Sequence, residues 1–129
     1  VVVEGALFGL GDLHASMGDG EIGVSGVEVC GSVTVKLEVV KNIGIANPIV
    51  KTNDITATIA SAITLDEAVT IATQDMANLI KLHSSMAMEE IATLMSAVGN
   101  LEISQVVDPE KTARFAMPNE ILERLNIQL

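Results

Sequence analysis

Tyrosine and tryptophan are missing from the 129 residues, and Phe8 and Phe115 are the whole aromatic complement. With so few rings the chain has no platform on which bases or sugars stack. Basic residues are scarce too: seven Lys and Arg stand against 17 Asp and Glu, a formal net charge of −10, with a pI near 4.4. That field repels phosphate backbones, which argues against nucleic acid as a partner, and it argues equally against an anionic membrane surface. A single cysteine, Cys30, excludes a disulfide framework within the chain and suits a reducing, cytoplasmic compartment. No run of about 18 uncharged apolar residues exists to span a bilayer. The opening VVVEGALFGL carries Glu4 and has no basic leader or clear small-residue cleavage site, so it does not read as a signal peptide.

What the chain has in plenty is apolar surface. Hydrophobic residues make up 49% and charged ones 19%, which excludes disorder, and the length implies one domain or two very small ones sharing a core. A mean hydropathy of +0.47 is high for a chain of this size. It leads us to expect surface hidden against more protein, either an oligomer partner or a further half of the same polypeptide.

The pattern divides near residue 60. In residues 27–39, Val27, Val29, Val33, Val35, Leu37 and Val39 alternate with Glu28, Cys30, Ser32, Thr34, Lys36 and Glu38, the period of a long strand with one apolar face. Gly31 interrupts that face and suggests a bulge or bend. Residues 1–10 read as buried strand, 21–25 as a short strand, and 49–51 and 55–60 as two more around the Asn47-Pro48 turn. From residue 64 the period changes. Thr64-Leu65-Asp66-Glu67 fits a capping box, and Ala68, Ile71, Ala72, Met76, Leu79 and Ile80 form a helical stripe. A second helix is predicted over 87–98, with Met88, Ile91, Met95 and Val98 on one face and Gly99 as its stop. Residues 101–107 and 112–117 return to strand, and 118–126 close as a short helix with Ile121, Leu122 and Leu125 inward. The expected class is α+β: a β-rich part over 1–60, sandwich- or barrel-like, then two helices packed on a small sheet over 61–129.

One segment departs from packing logic. GDLHASMGDGE, residues 11–21, holds three acids, a histidine and three glycines. In extended backbone Asp12 and His14 point to one side, as two metal ligands on a strand end require. Gly18 and Gly20 permit a tight turn around Asp19 that returns Glu21 towards them, and Glu28 lies on the polar face of the long strand. The segment is not an EF-hand, because counted from Asp12 the sixth and twelfth positions are Met17 and Gly23. A dinucleotide fingerprint from Gly9 meets His14 where its last glycine belongs, a phosphate loop lacks its lysine, and a nucleophile elbow around Ser16 has His14 in place of its first glycine. From the residues alone, a hydrogen-bonded acidic turn and a metal or catalytic site both stand open.

The same segment, with Gly-Val-Glu at 26–28, LDEAVTIA at 65–72 and SAVGNLEISQVVDP at 96–109, resembles the acetamidase/formamidase family, and the resemblance covers essentially the whole chain. It implies cytoplasmic, oligomeric hydrolases built of β-rich lobes and a smaller α+β part. They cleave small amides, formamide- or acetamide-like, to a carboxylate and ammonia, with small lactams as a further substrate class. It also implies a divalent metal, zinc first and calcium as the alternative, with Asp12 and His14 as its ligands. Glu21 becomes the acid/base candidate, and Glu28 a second catalytic carboxylate, an alternative ligand or a support for one. A whole member is about twice this length, so the resemblance implies a preceding N-terminal half that contributes further site residues. The rival class is a non-catalytic metal-binding or structural β module in which the same acids tie down a loop.

Other residues take plainer readings. Glu28, Cys30 and Lys36 share one face, but Cys30 and Lys36 are about 20 Å apart on an extended strand, too far for a cysteine nucleophile activated by lysine. His83 falls at a helix C-terminus, which favours a core-edge role. Met76, Met86, Met88 and Met95 read as core or interface filler. Asn100 and Gln105 are candidate pocket liners, and Asp66-Glu67 and Glu89-Glu90 are acids that favour helix N-termini.

Overall fold

The computed structural model describes Gly11 and residues 13–23, 25–40 and 44–128. Among them a four-stranded antiparallel sheet carries three helices, so the α+β class holds. The elements are β1 (Ile49–Lys51), β2 (Ile55–Ala62), α1 (Leu65–Leu82), α2 (Met88–Val98), β3 (Asn100–Gln105), β4 (Lys111–Pro118) and α3 (Asn119–Arg124), with strand order β1-β2-β4-β3. The sheet draws on both sides of residue 60. The strands expected in residues 1–10 lie outside the described residues.

Local chemistry sets the ends of these elements. Thr52 turns β1 into β2, its hydroxyl accepting from the amides of Asp54 and Ile55 at 3.2 and 3.1 Å. At the start of α1 the Thr64 hydroxyl accepts from the Glu67 amide at 3.3 Å, and the Glu67 carboxylate accepts from the Thr64 amide at 3.2 Å. This is the reciprocal cap expected from the sequence. The helix ends at His83, which is exposed and donates its backbone N–H to the Ile80 carbonyl.

In register, Ala60 faces Ala113, Thr58 faces Phe115 and Thr56 faces Met117, and these pairs look towards the helices. The Thr58 hydroxyl donates to the Ala72 carbonyl of α1 at 2.7 Å, which satisfies a polar group at the sheet–helix contact. Ala72, Met76, Ile80, Ile91, Met95, Phe115, Met117, Leu122 and Ile127 complete the core. The neighbouring row, Ala57–Ala116 and Ile59–Arg114, faces the other side. Arg114 therefore stands opposite the helical layer, beside Glu102 of β3.

Four expectations change. Residues 27–39 form no ladder among the described residues beyond one bridge at Glu28, and Val33, Leu37 and Val39 are 65%, 64% and 86% exposed. Alternation marks a face suited to a sheet, but a strand exists only where a neighbour supplies donors and acceptors. Residues 21–25 likewise reduce to a bridge at Glu21. Gly99 does stop α2 as expected, at φ −78°. Its role is close approach, since a Cβ there would sit 2.6 Å from the Met95 carbonyl oxygen and closer still to the Phe115 ring. Of Ile121, Leu122 and Leu125 only Leu122 is buried; Leu125 is exposed, and Ile127 takes the inward place after Asn126 reverses the chain at φ 58°. The helical stripes are also narrower than expected, with Ile71 and Met88 at the surface.

Candidate active site

Residues 13–16 lie antiparallel to residues 27–29. The Ala15 amide donates to the Val27 carbonyl at 2.8 Å, the Val29 amide to Leu13 at 3.0 Å, and the Val27 amide to Ser16 at 3.0 Å. The first two bonds flank His14 and Glu28 and make them a non-hydrogen-bonded pair, the register that holds opposing side chains closest. Accordingly His14 Nε2 stands 3.4 Å from Glu28 Oε1, with the two side chains 28% and 49% exposed. The histidine needs room to lie there. A Cβ on Gly26 would sit 3.1 Å from His14 Cδ2 and 2.9 Å from Met17 Cε, so a glycine at 26 is part of how the pair fits.

Ser25 completes this group. Its hydroxyl is 2.9 Å from both carboxylate oxygens of Glu28. That hydrogen bond first, then the Glu28 backbone amide and more weakly His14, hold the Glu28 carboxyl below its ordinary 4.5 against the opposing effect of desolvation. A carboxylate held in its charged form accepts hydrogen bonds well and takes protons poorly.

The other end of the segment is fastened to the sheet. The amides of Gly20 and Glu21 both donate to the Ser104 carbonyl, at 3.1 and 3.3 Å, and the Val106 amide donates back to Glu21 at 2.9 Å. Glu21 thereby bridges Gln105 in parallel. Gly20 at φ +77° makes the turn that only glycine takes without strain. Gln105 ties the following loop: its carboxamide donates to the Glu110 carbonyl and the Thr112 hydroxyl and accepts from the amides of Val107 and Asp108. Asp19, at the tip, pairs with Arg114 at 2.7 Å. Glu21, half-buried, lines an open hollow of about 450 Å³ with Ser16, Met17, Asp19, Ser25 and Val27, and neither His14 nor Glu28 is among its lining residues.

The four residues singled out from the sequence therefore divide. His14 and Glu28 meet, Glu21 is anchored separately on β3, and Asp12 lies outside the described residues. Among the described residues no three His, Cys, Asp or Glu side chains converge as a metal would need. His14 and Glu28 are donors of the right type, but alone they are a pair. Cys30 is exposed and free, and Lys36 pairs with Glu38. Asn100 is exposed. Sequence reasoning missed Asp19, Ser25 and Arg114. Ser25 carried a local signal, three residues before Glu28; Arg114, 95 residues from Asp19, carried none.

Residues 1–124 match the sequence profile of the Acetamidase/Formamidase family. The chain belongs to that family. It is similar to the predicted acetamidase/formamidase of the thermophile Thermoanaerobacter tengcongensis, at 59% identity and a TM-score of 0.84, over 90% of this chain and 38% of that one. The acetamidase of Bacillus halodurans follows at 44% identity and a TM-score of 0.81, over 88% of this chain and 39% of its own. A putative formamidase of Schizosaccharomyces pombe is 51% identical over 43 residues, 33% of this chain and 10% of that protein. The chain thus spans well under half the length of these relatives. Among the described residues no helix is long and apolar enough to cross a membrane.

Proposed function

We propose that the protein carrying this sequence hydrolyses the C–N bond of small amides: formamide- or acetamide-like ones to a carboxylate and ammonia, and small lactams to the ring-opened amino acid. The observation that carries the reading is family membership over residues 1–124; the convergence of His14 and Glu28 within the site segment supports it.

Amides resist hydrolysis because the carbonyl is weakly electrophilic and the amine leaves poorly, so a site must position water, move its proton and protonate the nitrogen. Asp12 and His14 are the residues we assign to a divalent metal, zinc first and calcium as the alternative. When bound, such an ion acidifies water and polarises a carbonyl. The described residues supply only part of a ligand set, so its remainder must come from Asp12 and from residues beyond them. Glu28, kept ionised by Ser25, stands against Nε2 of His14 and so orients the ring, the part a supporting carboxylate plays for a ligating histidine. Glu21, fastened by backbone bonds on both sides and facing an open hollow, is the proton carrier, taking a proton from water and delivering it to the leaving nitrogen. Partners follow from the same reading: the further part of an acetamidase/formamidase polypeptide, and second copies of the protein, in the cytoplasm.

The second reading, a metal-binding or structural module without catalysis, is favoured by the way the acidic segment ties down its own loop, through the Asp19–Arg114 pair and the backbone bonds of Glu21. Incubation of the protein with formamide, acetamide and a small lactam, with metal content measured in parallel, separates the two. Ammonia from formamide or acetamide, or the ring-opened amino acid from the lactam, above the no-enzyme rate supports hydrolysis; bound metal with no turnover of any of the three supports the module.

A further inference from the structure

Arg114 has no part in the scheme above, yet its side chain joins the site segment to the body of the sheet. It stands on β4 on the face opposite the helices, where its cross-strand neighbour is Glu102 of β3. Its Nε donates to the Glu102 carboxylate, and its Nη2 reaches Asp19 at 2.7 Å. One guanidinium therefore spans two strands and the tip of the loop. Partial burial works against its charge, but the hydrogen bond to Glu102, followed by the charges of Asp19 and Glu102 and the Asp19 hydrogen bond, more than offsets this and holds the group firmly protonated. The side chain is 27% exposed, Glu102 33% and Asp19 55%. The Glu102 arm is the more sheltered, and it presents a pre-oriented planar fork to Asp19.

Asp19 is two residues from Glu21, and Gly20 between them is held in the left-handed region. Immediately after the ion pair, the Gly20 and Glu21 amides share the Ser104 carbonyl. The loop tip is thus fixed at a side-chain point on β4 and a backbone point on β3, a few ångströms of chain from the proposed proton carrier.

We propose that Arg114 is a positioning residue: through Asp19 it locks the 18–21 turn on β3 and β4 and so sets where the Glu21 carboxylate stands. This rests on the hydrolytic reading for its consequence, but the locking itself does not. A half-exposed pair adds little to global stability, so its effect falls on the turn. A small displacement of a catalytic group lowers turnover more than substrate binding.

The test uses Asp19→Asn, Arg114→Gln and the double variant in the protein carrying this sequence, with Arg114→Lys as the conservative control. Amide hydrogen exchange is followed at Gly20, Glu21 and Val106, with Met76 in α1 as the internal reference, beside kcat and KM for formamide. We expect exchange at the three loop amides to rise about 3- to 10-fold in both single variants while Met76 is unchanged. We expect kcat to fall by a similar factor with KM within about twofold, and the double variant to be no worse than either single one, as members of one interaction behave. Arg114→Lys recovers part of both effects. Unchanged loop exchange, or a rise shared by Met76, overturns the locking. Faster loop exchange with unaltered kcat overturns the positioning of Glu21. A wild type that releases no ammonia overturns the hydrolytic reading and this catalytic consequence with it, and exchange still decides the locking.

Discussion

At the scale of single residues, the account turns on a division between two glutamates. Glu28 is charge-stabilised by Ser25, its own backbone amide and His14, whereas Glu21 is held through its main chain. A carboxyl depressed in the folded protein lends stability above its unfolded value and loses it as pH falls through the folded one. The His14–Glu28 contact should therefore persist down to pH 4.5 and dissolve only below it. Carbon-13 titration of the Glu28 carboxyl should give a midpoint under 4.5, and Ser25→Ala should move it upward. A midpoint at or above 4.5 in the unaltered protein would remove the reason for calling Glu28 an anchor. The roles then separate by variant. Asp12→Asn and His14→Ala should strip most of the metal and nearly all turnover. Glu21→Gln should keep the metal and lose at least about 10²-fold in kcat, the usual worth of a proton carrier. Elemental analysis beside an ammonia assay reads both; a Glu21→Gln protein that loses its metal makes Glu21 a ligand.

At the scale of elements, stability concentrates where short-range chemistry and packing agree. Thr64→Ala should cost about 1 kcal/mol through the lost cap. Gly99→Ala should cost about 1–3 kcal/mol, because its methyl has nowhere to go between Phe115 and the end of α2. Thermal melting ranks the two, and a Gly99→Ala protein as stable as the parent would show that the ring moves aside freely. The same distinction explains what could be read in advance. Helices α1 and α2 were legible because their caps and stripes are local, and β2 and β4 because both are flanked by turn residues. The 27–39 alternation misled, since a strand is a relation between segments and a period of two describes only one of them. In the site, His14 and Glu28 were legible as residue types, but their pairing depends on a register set by the amides of Ala15 and Val29. The Arg114 contact crosses 95 positions and leaves no trace in either local sequence.

At the scale of the whole molecule, two observations belong together. The chain covers 38% and 39% of the solved relatives from T. tengcongensis and B. halodurans, and Val33, Val35, Leu37 and Val39 are a row, in sequence, of exposed apolar side chains. We propose that these side chains meet further protein, as exposed apolar clusters commonly do. Replacing Val35 and Leu37 by Asp should release whatever covers the row, seen as a smaller mass in light scattering or as lost association with the rest of the polypeptide. An unchanged assembly would leave the row as plain surface. The central claim, that this family member is an amide hydrolase working through residues 11–28, is tested most directly by ammonia release from formamide by the protein and its His14→Ala variant at equal concentration. The account predicts steady release by the first and near-background release by the second, with the fold of both intact by circular dichroism. Equal rates from the two proteins would contradict it.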